Sequence, residues 1–251
     1  MSKVDIILPT YNCEKFITET LNSISKQSFK NWKLKIIDDA SSDSTLTLIK
    51  KFLKDKRINL KRLKRNKGAG FCRNLALKNS KAKYVAFIDA DDIWKRNKLK
   101  YQVREMDKKN LDFTYTNFTP FTELNGFKKY KNGVILPTEF DYDLFVKKTS
   151  ICTSSMIIKR KKIGITKFLK TKICEDYFFK CKLLKKVGRA INVDKNLTLY
   201  RISKGSLQSS RTRNLYWVWH INRKYNKMNV IKNLKSVFFI SINSLKNYGF
   251  K

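Results

Sequence analysis

The first hundred residues alternate between short apolar segments and stretches with helical periodicity, and this alternation constrains the fold more than any other feature. The apolar segments are VDIILP (4–9), LKIIDD (34–39), INLKRL (58–63) and YVAFID (84–89). Helical patterns fill the intervals at about 14–28, 45–54 and 71–78. Short apolar strands that each return through a helix predict a parallel sheet covered by helices on both faces, which is a Rossmann-like half.

The second half of the chain is less regular. Strand patterns are found at 113–118, 152–158, 189–194 and 197–202, a helix is predicted at 175–188, and helical patterns return after Thr212. No internal repeat or linker separates these segments. We therefore predict one α/β unit over residues 1–210, with halves at 1–110 and 111–210, followed by a helical extension over 211–251.

The composition is that of a folded protein whose cysteines form neither disulfides nor a zinc site. Hydrophobic residues make up 42% of the chain and aromatic residues 13%, which is too much for a disordered basic segment. The five Cys are scattered and odd in number, and there is a single His, so neither disulfides nor a zinc site are expected. No signal-peptide pattern and no apolar run of ~18 residues is seen, so a cytoplasmic location is expected.

The chain is strongly basic, with 56 Lys and Arg against 20 Asp and Glu and a formal net charge of +36. Such a charge attracts polyanions: nucleic acid, anionic lipid or nucleotide diphosphates. A basic nucleic-acid-binding protein is therefore one alternative. The cations are mostly Lys spread over nearly every segment, and no nucleic-acid-binding motif is recognised, so nucleic acid is the less favoured partner.

Three polar clusters follow predicted strands: PTYN (9–12), DDASSD (38–43) and DADD (89–92). In an open parallel sheet, ligands bind beyond the carboxyl ends of the strands, so the three clusters should converge. If the chain is extended there, Asp89 and Asp91 point to the same side, because side chains alternate along a strand. Two such carboxylates can hold Mg²⁺ or Mn²⁺ together with substrate phosphates. The alternative is that the acids only cap the next helix.

The ordered motifs PTYN, IDDASSDST, GAGFCRN and FIDADDIW resemble the nucleotide-sugar-binding half of the family 2 inverting glycosyltransferases, which have the GT-A fold. The resemblance continues through CEDYFFKCKLL (174–184) and LYRISKGSLQSS (199–210). It implies metal-dependent, inverting sugar transfer from a nucleotide-diphosphate donor, expected to be UDP-linked. The acceptor would be a glycan or lipid-linked hydroxyl in surface-polysaccharide synthesis, such as that of lipopolysaccharide or capsule. A non-catalytic GT-A scaffold is a further alternative.

The resemblance assigns roles to residues around the nucleotide. The base-binding segment would be formed by Pro9, Thr10, Tyr11 and Asn12, in which the Tyr11 ring stacks on the base or merely packs in its loop. Either Asp38 or Asp39 would accept the uracil imide N–H.

Further donor contacts are implied by the Gly-rich turn and by the acid cluster. Gly68, Arg73 and Asn74 would bind the diphosphate; the alternative for Arg73 is a surface salt bridge. The metal is assigned to Asp91, and the ribose or sugar to the segment of Asp89 and Ala90. Trp94 would either shape the pocket or pack in the core.

In the second half, the resemblance assigns the catalytic base to Asp176, with Glu175 beside it in contact with substrate. Inversion requires a carboxylate that takes the proton of the acceptor hydroxyl on the face opposite the leaving group. The alternative is that both acids only stabilise a helix N-terminus. In many relatives a His stands at the position of Ser203 and reaches the metal or the diphosphate, and in this chain Arg201 or Lys204 could replace it electrostatically.

The helical extension mixes Trp, Phe and Ile with Lys. As an amphipathic segment it could lie on an anionic membrane surface, which would make the protein peripheral on the inner face of the cell membrane. It could equally pack on the catalytic unit as a lid. The sugar, the acceptor, the linkage and the oligomeric state are not determined by the sequence.

Overall fold

The computed structural model describes residues 2–171, 173–203 and 210–248, and it contains one mixed sheet flanked by helices. The strands are β1 Val4–Thr10, β2 Trp32–Asp38, β3 Ile58–Arg62, β4 Tyr84–Phe87, β5 Ile93–Trp94, β6 Phe113–Leu124, β7 Phe127–Tyr130, β8 Glu139–Phe140, β9 Ile157–Lys159 and β10 Ala190–Arg201. The helices are α1 Ile17–Ser25, α2 Thr45–Lys50, α3 Ala69–Lys78, α4 Lys98–Lys108, α5 Tyr142–Lys148, α6 Arg160–Ile163, α7 Glu175–Val187, α8 Arg211–Lys224 and α9 Val230–Tyr248.

The sheet has the strand order β3-β2-β1-β4-β9-β6-β10-β5, with β7 paired to β6 and β8 paired to β10. Strands β3, β2, β1 and β4 pair in parallel, which confirms the Rossmann-like first half. Strand β9 pairs antiparallel to both β4 and β6, so β6 runs parallel to β4. The carboxyl ends of β1, β2 and β4 consequently meet at one edge of the sheet.

The apolar strands are buried on both faces, which explains their nearly continuous hydrophobic sequence. In β1, Ile6 and Leu8 pack on one face with α1, whereas Ile7 packs on the opposite face with α3. The two hydrophobic layers therefore lie on either side of the same strands, as in other doubly covered parallel sheets.

The structure corrects two predicted strands of the second half. Residues 152–158 do not form one strand: a 3₁₀ turn spans Thr153–Ser155 and only Ile157–Lys159 is extended. The main-chain oxygen of Cys152 accepts hydrogen bonds from both the amide and the hydroxyl of Ser155, a local pattern that competes with strand pairing. Segments 189–194 and 197–202 instead form one strand, β10, with irregular pairing to β6 between Asn192 and Thr198.

The C-terminal helices pack on the α/β unit. The hydroxyl of Tyr177 in α7 donates to Asn222 Oδ1 in α8 at 2.8 Å, and the hydroxyl of Ser236 in α9 donates to the Val146 oxygen in α5 at 2.6 Å. Among the described helices, none has the length and apolar composition needed to cross a membrane.

Candidate active site

The first two polar segments are joined by side-chain hydrogen bonds. Asp38 Oδ1 accepts from the hydroxyl of Thr10 at 3.1 Å and from the hydroxyl of Ser41 at 2.6 Å. Asn12 Oδ1 accepts from the Ser42 amide at 2.9 Å. Pro9 is buried within β1, whereas Tyr11 is 50% exposed at this edge. The ring of Tyr11 is thus on the surface, where a base could stack on it, and its packing alternative is not favoured.

The carboxylate of Asp39 holds the Gly-rich turn against the end of β2. Its two oxygens accept from the amides of Lys67 at 2.8 Å and Gly68 at 2.7 Å. Gly68 has φ +86°, a conformation that favours glycine. Asp38 and Asp39 are both buried and both hydrogen-bonded within the protein, so each has a structural role whichever of them contacts a base.

Helix α3 begins against the segment around Phe168. The amide group of Asn74 donates to the Phe168 oxygen at 2.9 Å and accepts from the Phe168 amide at 2.9 Å. A Cβ at Gly70 would collide with the Leu169 carbonyl oxygen. Both the nitrogen and the oxygen of the Asn74 side chain therefore bind the main chain of Phe168. The predicted contact between Asn74 and the diphosphate of the donor stays a prediction.

Arg73 is buried and connects the two halves of the molecule. Its Nη2 donates to Asp89 Oδ1 at 2.6 Å and its Nη1 donates to Glu175 Oε1 at 2.5 Å. The guanidinium also lies 5.3 Å from the Phe168 ring centroid. The surface salt-bridge alternative is therefore wrong, because the bridge is internal. Direct binding of phosphate by Arg73 stays a prediction. A bound phosphate would share the guanidinium with the two carboxylates that already accept hydrogen bonds from it.

The acid cluster forms a turn. The Asp92 amide donates to the Asp89 oxygen at 3.1 Å, so the argument from an alternating extended chain was wrong. Two groups hold the turn: the Thr20 hydroxyl donates to the Ala90 and Asp92 oxygens, each at 2.9 Å, and Arg201 Nε donates to the Asp91 oxygen at 2.9 Å. The helix-capping alternative is also wrong, since the next helix begins at Lys98 after Asn97.

Negative charge is concentrated at this turn. Burial, followed by the charge of Asp89, raises the pKa of Asp91 to about 6. Burial and the two neighbouring carboxylates raise the pKa of Asp92 well above its usual range. Within the described residues, the Asp91 carboxylate accepts no hydrogen bond from another residue. A cation would relieve this repulsion.

Trp94 packs in the core, which corrects its assignment to a substrate pocket. It is only 2% exposed, and its indole N–H donates to the Ser154 oxygen at 2.8 Å. The same Ser154 supports the acid turn through its hydroxyl, which accepts from the Asp89 amide at 2.9 Å and donates to Asp92 Oδ2 at 2.5 Å. Ser154 was missed by sequence reasoning because nothing in the pattern of 152–158 marks one serine.

Arg201 is also internal, which corrects its expected role as a charge facing the diphosphate. Its guanidinium pairs with Glu123 and, at 2.6 Å, with Glu19, and it lies between the rings of Phe16 and Phe121 at 4.6 and 4.5 Å. Its charge is compensated inside the protein, and it orients the acid turn. Strand β10 ends at Arg201, Ser203 is the last described residue before residue 210, and Lys204 lies outside the described residues.

The assigned base Asp176 lies at the first turn of α7 and is ion-paired. Its Oδ2 accepts from the Thr153 hydroxyl at 2.7 Å and from Lys180 Nζ at 2.6 Å. Burial alone would raise the pKa of Asp176, but the charge of Lys180 and these hydrogen bonds outweigh it and hold the pKa well below its usual range. Burial raises the pKa of Glu175 despite the opposing charge of Arg73. Two adjacent carboxyls are thus tuned in opposite directions.

Residues 5–165 match the model of the family described as Glycosyl transferase family 2. The chain belongs to this family. Two relatives cover most of it: TuaG of Bacillus subtilis, whose name refers to teichuronic acid biosynthesis, is 30% identical over 91% of this chain and 90% of its own length. WfgD of Escherichia coli, named a UDP-Glc:α-D-GlcNAc-diphosphoundecaprenol β-1,3-glucosyltransferase, is 33% identical over 87% of this chain and 84% of its own.

The same fold is seen in TarS residues 1–349 of Staphylococcus aureus, solved in complex with UDP-GlcNAc. The TM-score is 0.74 at 24% identity, over 98% of this chain and 73% of that one. The predicted GT-A fold and the prediction of a family 2 glycosyltransferase of the surface-polysaccharide type are therefore confirmed.

The donor set of this family 2 chain fits a hard divalent cation. No group of three or more His, Cys, Asp or Glu that could enclose a metal occurs among the described residues. Mg²⁺ and Mn²⁺ do not need such a cage, because they are commonly held by one or two carboxylates together with water and substrate phosphates. Asp91 is the carboxylate available for this, with Asp89 beside it.

Proposed function

We propose that the protein is a metal-dependent inverting glycosyltransferase that uses a UDP-linked sugar and extends a lipid-linked or glycan acceptor of a bacterial surface polysaccharide. The observation that carries the proposal is the buried bridge Asp89–Arg73–Glu175. It fixes the acid turn of the donor edge against the first turn of α7, which carries the assigned base Asp176.

The donor assignment rests on the edge where three polar segments meet. Tyr11 is exposed there, and its neighbour Thr10 is hydrogen-bonded to the buried Asp38 and Asp39. A carboxylate can accept the imide N–H of uracil, and an exposed ring can stack on the base. WfgD is named as a UDP-Glc enzyme and the TarS complex holds UDP-GlcNAc, which agrees with a uridine donor.

The metal assignment rests on Asp91. Burial and, after it, the charge of Asp89 raise the pKa of Asp91, and the opposing charge of Arg201 does not cancel these two effects. A divalent cation held by Asp91, with Asp89 nearby, would offset the charge that develops on the departing diphosphate. The residues of the chain have the separate task of holding that carboxylate in place, and they do so through the Arg201 and Thr20 contacts to the turn.

The base assignment rests on the protonation state and the free oxygen of Asp176. The Lys180 ion pair keeps the carboxylate ionised, which is the form that can accept a proton from an acceptor hydroxyl. Both of its hydrogen bonds within the described residues go to Oδ2. Oδ1 is therefore the oxygen to which the acceptor hydroxyl would deliver its proton as the hydroxyl oxygen attacks C1 and the bond to the nucleotide diphosphate breaks.

The acceptor class comes from the relatives. WfgD is named for an acceptor on diphosphoundecaprenol, and the name of TuaG refers to teichuronic acid biosynthesis. The protein would thus work in the cytoplasm, at the inner face of the cell membrane where such lipid-linked acceptors are found.

Nucleotide binding is tested by thermal shift with UDP, GDP, CDP and dTDP, each with and without Mn²⁺. A ligand at ~100 times its Kd stabilises by about 2.7 kcal/mol, or roughly 5–10 °C here. We expect a Mn²⁺-dependent shift with UDP that disappears in Asp91→Asn and persists in the exposed control Asp143→Asn. A shift with a different nucleotide would overturn the uridine assignment, and no shift with any of them would overturn the donor site.

Transfer itself is tested with UDP-sugars and lipid-linked acceptors. Asp176→Asn keeps the shape of the side chain and should lower kcat by about 10²–10⁴ while nucleotide binding is retained. A wild-type protein that binds UDP and Mn²⁺ but neither transfers nor hydrolyses the sugar would instead be a non-catalytic scaffold.

A further inference from the structure

Helix α9 buries two polar residues beside the apolar Ile240 and turns a row of large apolar residues outward. Asn233 and Ser236 are buried, whereas Ile231, Leu234 and Phe238 are 67%, 56% and 61% exposed. The three exposed residues follow the i, i+3, i+7 spacing of a single helical face. A surface helix of a globular protein normally has the opposite arrangement, so this face needs a partner to leave water.

The orientation of α9 is fixed by its hydrogen bonds. Asn233 Oδ1 accepts from the Asn222 side-chain amide at 2.9 Å, and the Asn233 side-chain amide donates to the Trp219 oxygen at 3.1 Å. The Ser236 hydroxyl donates to the Val146 oxygen at 2.6 Å. Rotating the helix to bury its apolar residues would leave these buried polar groups without partners, which is costly. The outward apolar face is therefore built into the fold.

The charge around this face identifies its partner. Residues 211–251 contain nine Lys and Arg and no Asp or Glu. Lys232 and Lys235 are exposed on α9, next in sequence to Ile231 and Leu234. An apolar stripe bordered by lysines matches a surface with an apolar interior and anionic headgroups. Two copies of this chain would bring like charges together, and nucleic acid would leave the apolar residues in water.

We propose that the outward face of α9, formed by Ile231, Leu234 and Phe238 with Lys232 and Lys235, docks on an anionic lipid surface. The helix lies in the interface with its axis parallel to the membrane plane, its apolar side chains entering the acyl boundary and its lysines reaching the headgroups. Docking deepens the membrane-edge location in the proposed function. It needs no sugar transfer, so the two can fail separately.

The experiment is co-sedimentation of the full chain with two kinds of vesicle. One contains phosphatidylcholine alone, and the other contains roughly one anionic phosphatidylglycerol for every two phosphatidylcholines. We expect binding to the anionic vesicles at ~0.15 M salt. Ile231→Ser combined with Phe238→Ser should weaken it at least tenfold, because each side chain loses apolar area that the interface would bury. Ile165→Ser is the matched control, since Ile165 is 94% exposed on a different segment, and it should bind as the wild type does.

The electrostatic part is tested by Lys232→Gln with Lys235→Gln, against Lys50→Gln with Lys54→Gln at another exposed site. We expect about a fivefold loss for each α9 lysine, the factor corresponding to ~1 kcal/mol near an anionic surface, and a smaller loss for the control pair. Circular dichroism checks that each variant is folded.

Three results would overturn the proposal. The first is absence of wild-type binding to anionic vesicles. The second is unchanged binding of the Ile231/Phe238 variant, which would mean that the net charge alone attracts the protein. The third is a concentration-dependent dimer in light scattering that this variant abolishes, which would make a second copy of the chain the occupant.

Discussion

Replacement of Arg73 by Met should show whether the buried bridge holds the two halves of the site together. Met keeps most of the side-chain volume but removes the cation between Asp89 and Glu175. The two carboxylates would then repel each other with no cation between them. Glu175 is the more deeply buried of the two, and Asp89 is partly exposed. Breaking a buried ion pair by removing one partner costs about 3–5 kcal/mol, because the other charge remains.

The structure also gives the magnitude expected for the matched double variant. In Arg73→Met with Glu175→Gln, one of the two uncompensated charges is gone. The pair is in direct contact, with Nη1 and Oε1 2.5 Å apart, so the double variant should be more stable than the sum of the single effects by about 0.5–3 kcal/mol. For a chain of this size, a loss of 3–5 kcal/mol lowers Tm by roughly 6–20 °C.

The assay is urea denaturation of the four proteins of the cycle at pH 7.5, monitored by circular dichroism. Effects that add to within about 0.5 kcal/mol would show that Arg73 and Glu175 are not coupled. A loss below ~1 kcal/mol in Arg73→Met would refute the inference that the bridge is internal, since that is the value of an exposed salt bridge.

Three further outcomes follow from buried groups. Burial lowers the pKa of Lys98 to about 7. Between pH 7 and 9 the Lys98 amine is therefore protonated in the unfolded chain and increasingly deprotonated in the folded one. Wild type should therefore gain up to ~1.4 kcal/mol of stability per pH unit relative to Lys98→Met in urea denaturation at each pH, and a flat difference would contradict this. Lys180→Met removes the charge that lowers the pKa of Asp176, so the acid limb of the kcat/KM profile should move to higher pH. Lys182→Met, at an exposed position, is the control and should leave the limb in place. An unmoved limb in Lys180→Met would argue against Asp176 as the base. Gly70→Ala places a methyl group against a main-chain oxygen and should cost about 1–3 kcal/mol in thermal unfolding, unless the loop can shift.

The sequence could predict those parts of the site that directly follow a single strand of the sheet. Strand β1 is buried on both faces, so it appears as an apolar run, and the polar residues that follow it must lie at the carboxyl edge of the sheet. The same logic placed Asp38 and Asp91 at that edge. Their neighbourhood follows from chain direction alone and needs no knowledge of side-chain partners.

The parts that could not be predicted depend on partners distant in sequence. The bridge from Arg73 reaches Glu175, 102 residues later, and Ser154 supports the acid turn from a segment whose pattern resembled a plain strand. Periodicity predicted helices after Thr212 but left open whether their apolar residues pack on the catalytic unit or face outward. An apolar stripe is normally buried, whereas here the hydrogen bonds of Asn233 and Ser236 decide which face turns inward.

Each of the two arginines that sequence reasoning placed at the diphosphate is paired with two carboxylates inside the protein. Arg73 lies between Asp89 and Glu175, and Arg201 pairs with two glutamates. A buried cation needs nearby anions, because desolvating an unpaired charge costs several kcal/mol. In a chain with 56 cations and 20 acids, four of the scarce acids therefore hold two arginines. The excess positive charge lies on the exposed lysines outside the site, where it can attract an anionic surface, and at the acid turn the uncompensated charge is negative. A nucleotide diphosphate approaching Asp91 would be repelled unless a divalent cation arrives with it, which is why the thermal shift with UDP is expected to require Mn²⁺.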